Sequence, residues 1–390
     1  MKVEIKPLIT KTLEINKHDV KGYLVIDKLI NGGSFGGVRI IQDPYLEEMI
    51  AAARTMTHKF AFAGFKSGGA KAAVQIPPGC ENKRAEILRE FGKQISELIQ
   101  TGIFSPGIDM GCTLEDLQHI FEGAGVKKDL SSWKNISHIY TAWTVYLSTL
   151  AALKSLKIDI NKSTYVIEGF GNVGSEYAKL MRDAGARLIA TSTRFGAIFN
   201  EKGIDVNEIL GLKTKYRNKF ILHYEKGKRI PLKKVLESNV DIAVPCARAW
   251  TINEDNYHKI KAQIIPCAAN VAMDAEIERK LYNKGKIVIT DFVANCGGVY
   301  GSMVERQISR EQIWSVLKKN YYPKIEKMIE DSKKNNETIA ELALKEIEAS
   351  TNSQRKVKKQ SVISHLKKIP FSEPIKNYFF YLYYRKRHFL

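Results

Sequence analysis

Six residues, Gly169-Phe170-Gly171-Asn172-Val173-Gly174, have the spacing GxGxxG. They follow an apolar run, Thr164 to Glu168, and open a segment of helical periodicity that ends near Gly185. A second apolar run, Arg187 to Ser192, comes next. Strand, glycine turn, helix and strand form the unit in which this spacing cradles a diphosphate. Gly169 permits the tight turn, Gly171 lets backbone approach the phosphates, and Gly174 lets helix and strand pack closely. Asn172 and Val173 sit at the start of the helix whose N–H groups face the anion. The expected ligand is a dinucleotide; a plain glycine-rich turn is the alternative. The second strand of such a unit normally ends in an acid that binds the ribose 2′-hydroxyl. Here the chain reads Ser192-Thr193-Arg194, with no acid. A carboxylate would repel a 2′-phosphate and a guanidinium pairs with one, so Thr193 and Arg194 favour NADP over NAD. Otherwise Arg194 is a solvated surface residue.

Other candidates lie on both sides of this unit. Lys59 ends a helical segment, and twelve residues later comes Gly68-Gly69-Ala70-Lys71. Ser105-Pro106-Gly107-Ile108-Asp109-Met110-Gly111 follows, then, beyond the glycine unit, Pro266-Cys267-Ala268-Ala269-Asn270 and Ala294-Asn295-Cys296-Gly297-Gly298-Val299. Taken singly, Lys59 reads as a helix C-terminal cation and Asp109 as a turn residue. Together and in this order, the five elements resemble the Glu/Leu/Phe/Val dehydrogenase family, from about Gly22 to Ser350.

The resemblance implies a two-domain enzyme with a cleft between its domains. The reaction it implies is the reversible oxidative deamination of an L-amino acid to a 2-oxo acid and ammonia, with NAD(P). By the same resemblance, Lys59 binds the substrate α-carboxylate, Lys71 is the catalytic lysine and Asp109 the proton-transferring acid. Thr141, Asn270 and Asn295 match residues near the nicotinamide and the reacting centre. Val299 and Ser302 match positions that line the substrate. The chemistry wants these residue types. A carboxylate needs a fixed cation, and forming a carbinolamine needs a base that can be neutral near pH 7. A lysine in a partly dry site beside another cation meets that need, because burial and like charge both disfavour the ammonium.

Two departures bear on specificity. Glutamate-specific members keep a lysine just before the Gly-Gly-x-Arg element; here Ser34-Phe35-Gly36-Gly37-Val38-Arg39 places Phe35 there. An aromatic cannot pair a carboxylate, so Phe35 favours an apolar substrate of the leucine, valine or phenylalanine type. Ser302 stands where glutamate enzymes often keep a serine, and so keeps glutamate open. The family's Thr-Ala-x-Gly element is Thr141-Ala142-Trp143-Thr144, with a threonine in place of glycine.

These residues need elements to hold them. Residues 11–41 read as strands, 44–60 as a helix with Pro44 in its first turn, and 71–76 as a strand; 81–100 and 113–121 are amphipathic helices. From Lys162 onward strand and helix alternate, with short apolar runs at 240–245, 262–269 and 286–294, which implies a parallel, doubly wound sheet. After Gly298 the chain turns helical. The expected plan is α/β throughout. Residues 1–135 form a substrate-binding and oligomerisation domain and 136–305 a Rossmann-type dinucleotide domain; C-terminal helices span 306–352 and a basic aromatic tail 353–390.

The chain has 390 residues, 44% hydrophobic and 26% charged, which excludes global disorder. Five scattered cysteines fit a reducing compartment rather than a disulfide framework, and eight isolated histidines point to no metal. The longest uncharged run, about Ile139 to Leu153, falls short of the ~20 apolar residues of a membrane span. No signal peptide is read in the charge-interrupted start, so the default expectation is a cytoplasmic protein. The net charge is +19, and residues 353–390, with ten Lys/Arg against Glu373, hold +9 of it. Basic residues interleaved with aromatics can touch a membrane surface or single-stranded nucleic acid; the alternative is an extension that packs in an oligomer. Family members assemble as hexamers or similar oligomers, so self-association is expected by resemblance. A non-catalytic, cofactor-binding regulatory relative is the alternative to an enzyme.

Overall fold

The computed structural model describes residues 6–15, 20–133, 136–304 and 308–356, without the side chains of Ile15, of Ser302 and of 351–356. The expected tail, 353–390, lies outside the described residues from 357 onward. The chain divides into two compact units, Met1–Asn135 and Ile136–Leu390. Each is α/β, as the alternation of patterns required.

The first unit is built on β1 (Ile9–Ile15), β2 (Val20–Ile26), β3 (Ser34–Ile41), α1 (Leu46–Phe62), β4 (Gly68–Gln75), α2 (Arg84–Gln94), α3 (Ser96–Gln100), β5 (Phe104–Ile108) and α4 (Leu114–Gly123). Its sheet runs β1-β2-β4-β3-β5. β1, β2 and β4 are antiparallel neighbours, and β3 is parallel to both β4 and β5. Strand alternation sorts the side chains. Leu24, Ile26, Val38, Ile40, Ala72 and Val74 share a core with Phe91, Leu117 and Ile120 of α2 and α4. On the opposite face Val25 and Ala73 meet Met49 and Ala53 of α1. That second face also carries Arg39 and Lys71, and the paired glycines Gly37 and Gly107.

Three details differ from the pattern reading. The helix over 81–100 is broken at Ile95 into α2 and α3, after a short 3-10 turn at Glu81–Lys83. Pro44 lies outside α1, whose first residue is Leu46. β5 was not anticipated, because Pro106 and Gly107 mask a strand that needs no side chain at Gly107.

The second unit comprises α5 (Ser137–Leu156), β6 (Thr164–Glu168), α6 (Asn172–Asp183), β7 (Arg187–Thr193), β8 (Gly196–Phe199), α7 (Val206–Tyr216), β9 (Lys228–Ile230) and β10 (Ile242–Pro245). It continues with β11 (Ile264–Pro266), α8 (Ala275–Asn283), β12 (Ile287–Ile289), α9 (Asp291–Ala294), α10 (Gly297–Met303), α11 (Arg310–Val316), α12 (Tyr322–Asn335) and α13 (Ile339–Lys356). The sheet order is β12-β11-β10-β6-β7-β8-β9. Strands β12 to β7 are parallel, whereas β8 and β9 are added antiparallel at the edge. The sheet is therefore mixed rather than wholly parallel. The 286–294 run is strand only to Ile289, because β11 offers three residues to pair with, and the chain then turns into α9. The uncharged Ile139–Leu153 run lies within α5, a helix apolar on most sides because α6, α10 and α12 all pack on it. No described helix is long and apolar enough to cross a membrane. α13 carries the C-terminal helices four residues past 352, to Lys356.

Close approach of α2 to α4 in the first unit depends on glycine. A Cβ on Gly92 would stand 2.1 Å from the carbonyl oxygen of Ile120. Gly211 of α7, by contrast, has nothing within 4 Å of that direction. Alanine at a helix interior ordinarily gains roughly 1 kcal/mol over glycine, while overpacking costs about 1–3 kcal/mol. Gly211→Ala should therefore raise the urea midpoint and Gly92→Ala should lower it, with the m-value unchanged in both.

Candidate active site

In the first unit the sheet register brings the predicted catalytic residues together. Lys71 lies mid-β4 and is 2% exposed. Asp109 follows the last residue of β5, and its Oδ2 pairs with Lys71 Nζ. The space for this pair comes from glycine: a Cβ on Gly37 would lie 2.7 Å from Asp109 Cβ. The same Asp109 oxygen accepts from Nε of Arg39 at 3.3 Å, and Arg39 Nη1 pairs in turn with Glu48 in the first turn of α1. Arg39 and Glu48 were not anticipated as site residues. The Gly-Gly-x-Arg element contained Arg39, but nothing in the sequence showed that β3 would lay it beside the end of β5.

The charges set one another. Burial alone would push Asp109 up, but Lys71 and Arg39 outweigh it and hold the carboxyl well below the usual carboxylate range. Burial is the largest influence on Lys71 and brings its ammonium below the ordinary lysine value; Asp109 opposes this and Arg39 adds to it. The second cation beside the lysine is thus Arg39.

Lys59 sits in the last turn of α1 and is 7% exposed. Its neighbour Phe60 meets Phe35 edge-on, with ring centroids 5.9 Å apart, which sets this turn beside the start of β3. The Phe35 ring lies over Gly107, where a Cβ would come within 2.7 Å of its Cζ. Phe60 and the backbone of Gly107 thus fix the ring at the position before the Gly-Gly-x-Arg element.

In the second unit the three glycines do distinct work. Gly169 has φ +99°, and Gly174 abuts the Gly169 carbonyl, where a Cβ would lie 2.4 Å away. Gly171 has nothing within 4 Å in the Cβ direction. Asn172 and Val173 open α6. The loop follows β6, where the strand order reverses: β7 lies on one side and β10 on the other, the usual place for a ligand in an α/β sheet. Lys213 of α7 was not anticipated. Its Nζ donates to the Gly171 carbonyl at 2.6 Å and to Ser175 Oγ at 2.7 Å, and burial brings it down to about 8. Thr193 spends its hydroxyl locally, donating to the Asn218 carbonyl at 2.9 Å and accepting from the Phe195 N–H at 3.2 Å. Arg194 is exposed and stacks its guanidinium on Phe195 at 4.8 Å.

The remaining predicted residues gather around the start of α10. Asn295 Nδ2 donates to Asn270 Oδ1 and to the Ala268 carbonyl, both at 3.1 Å, while its Oδ1 is buried with no partner among the described residues. Thr141 lies on α5, donates to the Ser137 carbonyl at 2.9 Å, and sits 2.8 Å from where a Gly298 Cβ would be. Thr144, the departure from the family pattern, has a structural use: its buried hydroxyl accepts the Gly297 N–H at 3.0 Å and so ties α5 to α10. Val299 is buried on α10, and Ser302 lies on the same helix, its side chain not described. Next to Asn270, Val271 holds a left-handed φ of +54°, a costly conformation for a β-branched residue. Asp291 accepts its N–H at 2.5 Å and Trp250 donates to its carbonyl at 2.7 Å. The open glycine turn, the buried unpaired amide oxygen and the basic lining fit a nicotinamide dinucleotide. Among the described residues no cluster of three or more His, Cys, Asp or Glu is placed to hold a metal ion.

Comparison with known proteins identifies the family and the fold. Residues 135–368 match the family model for Glutamate/Leucine/Phenylalanine/Valine dehydrogenase, and residues 9–124 match that for the Glu/Leu/Phe/Val dehydrogenase dimerisation domain. The chain is 31% identical over 313 residues to a glutamate dehydrogenase of Aeropyrum pernix, covering 76% of this chain and 74% of that one. Its fold is similar to a hetero-hexameric glutamate dehydrogenase from Thermus thermophilus in its leucine-bound form (TM-score 0.77, 20% identity, 91% of each chain). It is also similar in fold to L-tryptophan dehydrogenase from Nostoc punctiforme (TM-score 0.60, 23% identity, 90% of this chain and 98% of that one). The chain belongs to the Glu/Leu/Phe/Val dehydrogenase family, the NAD(P)-dependent oxidoreductases that act on the CH–NH2 group of amino acids.

Proposed function

We propose that this protein catalyses the reversible oxidative deamination of a non-acidic L-amino acid, with NADP as the preferred cofactor. The observation that carries the reaction is the pairing of buried Lys71 with half-buried Asp109, with Arg39 on the same carboxylate oxygen. Lys59 binds the α-carboxylate. Lys71, once neutral, takes a proton from the water that adds to the imine carbon. Asp109 moves protons on and off the amine nitrogen as the carbinolamine forms and collapses. Gly169, Gly171, Asn172, Val173 and Gly174 hold the diphosphate of the dinucleotide, and Thr141, Asn270 and Asn295 its nicotinamide end. The unpaired Asn295 Oδ1 supplies an acceptor for the carboxamide. When bound, the cofactor supplies the hydride acceptor.

The substrate reading rests on Phe35, whose ring is fixed by Phe60 and Gly107 where an acidic side chain would need a cation. Val299 and Ser302 are proposed to line the same substrate. Glutamate is the second reading, favoured by relatives that carry the name glutamate dehydrogenase and by Ser302. The NADP reading rests on the absence of an acid at Ser192-Thr193-Arg194 and on the stacking of Arg194 upon Phe195. Thr193 serves there by shaping the turn rather than by a free hydroxyl. The domain ranges follow from the same reading: residues 1–135 bind substrate and self-associate, and 136–305 bind the dinucleotide, in a cytoplasmic homo-oligomer.

NADPH oxidation with ammonia across a panel of 2-oxo acids tests the reaction. Turnover with the keto acids of leucine, valine or phenylalanine should exceed that with 2-oxoglutarate. No turnover with any of them would favour a non-catalytic relative. Phe35→Lys should raise the 2-oxoglutarate rate relative to the leucine keto acid by about tenfold, since a charge-assisted bond replaces an unpaired anion; an unchanged ratio would remove Phe35 from the pocket. In the oxidative direction kcat/KM should be higher with NADP than with NAD, and Arg194→Ser should reduce the NADP value alone by about tenfold. A strong NAD preference in the unaltered enzyme contradicts the cofactor reading.

A further inference from the structure

Arg39 touches both halves of a charge balance that the reaction depends on. Its Nε donates to Asp109 Oδ2, the oxygen that Lys71 also pairs with, and its Nη1 is bound by Glu48. Lys71, Arg39 and Glu48 are 2%, 6% and 8% exposed, so these charges interact with little water between them. Two cations and two carboxylates thus share a face floored by Gly37 and Gly107. We propose that Arg39, clamped by Glu48, is a positioning residue that fixes Asp109 against Lys71 and sets the charge of that pair. The proposal rests on the reading of Lys71 as the base.

The signs follow from Coulomb's law. The charged groups that act most strongly on Lys71 are Asp109 after β5, Arg39 from β3 and Glu48 from α1. After burial, which is the largest influence, Asp109 favours the Lys71 ammonium, Arg39 disfavours it and Glu48 weakly favours it. Burial opposes the Arg39 charge, but Asp109 and Glu48 more than compensate, so Arg39 stays a cation throughout the working range. Loss of the Arg39 charge lets Lys71 hold its proton to higher pH. Loss of the Glu48 charge removes a negative charge from beside Lys71 and one of the two counter-charges of Arg39, and so lets Lys71 release its proton at lower pH.

The test is the acid limb of the pH profile of kcat/KM for oxidative deamination. Arg39→Gln should move that limb up by about one pH unit, and Glu48→Gln should move it down by about half a unit. Arg39→Lys, which keeps the charge but not the fork, should return the limb towards its original position with a lower kcat. A scaffold role alone would lower activity in both neutral variants without opposite displacements. Limbs that stay put, or that move the same way, overturn the proposal. Where Arg39→Gln fails to fold, the Glu48→Gln limb decides by itself: downward supports the clamp, unmoved or upward overturns it. Full turnover in Lys71→Ala overturns the reading of the base and the proposal with it. An inactive Lys71→Ala with unmoved limbs in the other variants overturns the clamp alone.

Discussion

Charged groups leave water only where each meets its counter-charge, and this constraint organises the first unit. Lys71 and Arg39 converge on one oxygen of Asp109, and Glu48 closes the circuit. The arrangement requires three strands in one register: β4 to carry the lysine, β3 the arginine and β5 to end at the aspartate. It also requires a floor without side chains. Gly37 makes room for Asp109, and Gly107 makes room for the ring of Phe35. The apolar core on the other face of the sheet, against α2 and α4, keeps that register in place.

The second unit solves a different problem with the same economy of side chains. A dinucleotide needs exposed backbone N–H groups, a strand reversal to make a crevice, and polar groups for an amide ring. On the function proposed above, the β6 loop supplies the first, the order β10-β6-β7 the second, and the bonded pair Asn270–Asn295 the third. Val271 stays in its unfavourable conformation because Asp291 and Trp250 satisfy both its backbone groups, and this fixes the direction of the chain at Asn270. The threonine that breaks the family pattern, Thr144, bonds to α10.

Much of this was readable in advance, for identifiable reasons. Glycine spacing after an apolar strand foretold the tight turn from β6 into α6, because Gly169 needs a positive φ and Gly174 has no room for a Cβ. That Lys71 and Asp109 would meet was to be expected only from the ordered set of motifs, since a lysine after two glycines carries no such signal alone. What stayed hidden depended on tertiary register. Arg39 and Glu48 are nine residues apart in sequence, on a strand and a helix, and only the packing of α1 on the sheet pairs them. Lys213 reaches the glycine loop from 42 residues away. The antiparallel edge strands β8 and β9 are short, four and three residues, and too brief to show a periodicity. The break at Ile95 and the end of β12 at Ile289 are likewise set by neighbours rather than by local propensity.

The central claim is that the Lys71–Asp109 pair performs the proton chemistry while the second unit binds the dinucleotide independently. The most direct measurement is steady-state oxidative deamination by Lys71→Ala and Asp109→Asn, with NADPH binding followed by fluorescence in the same preparations. The account predicts turnover reduced by about a thousandfold or more in both variants, with the NADPH dissociation constant within about twofold of the unaltered enzyme. Near-normal turnover in either variant, with cofactor binding intact, would contradict it.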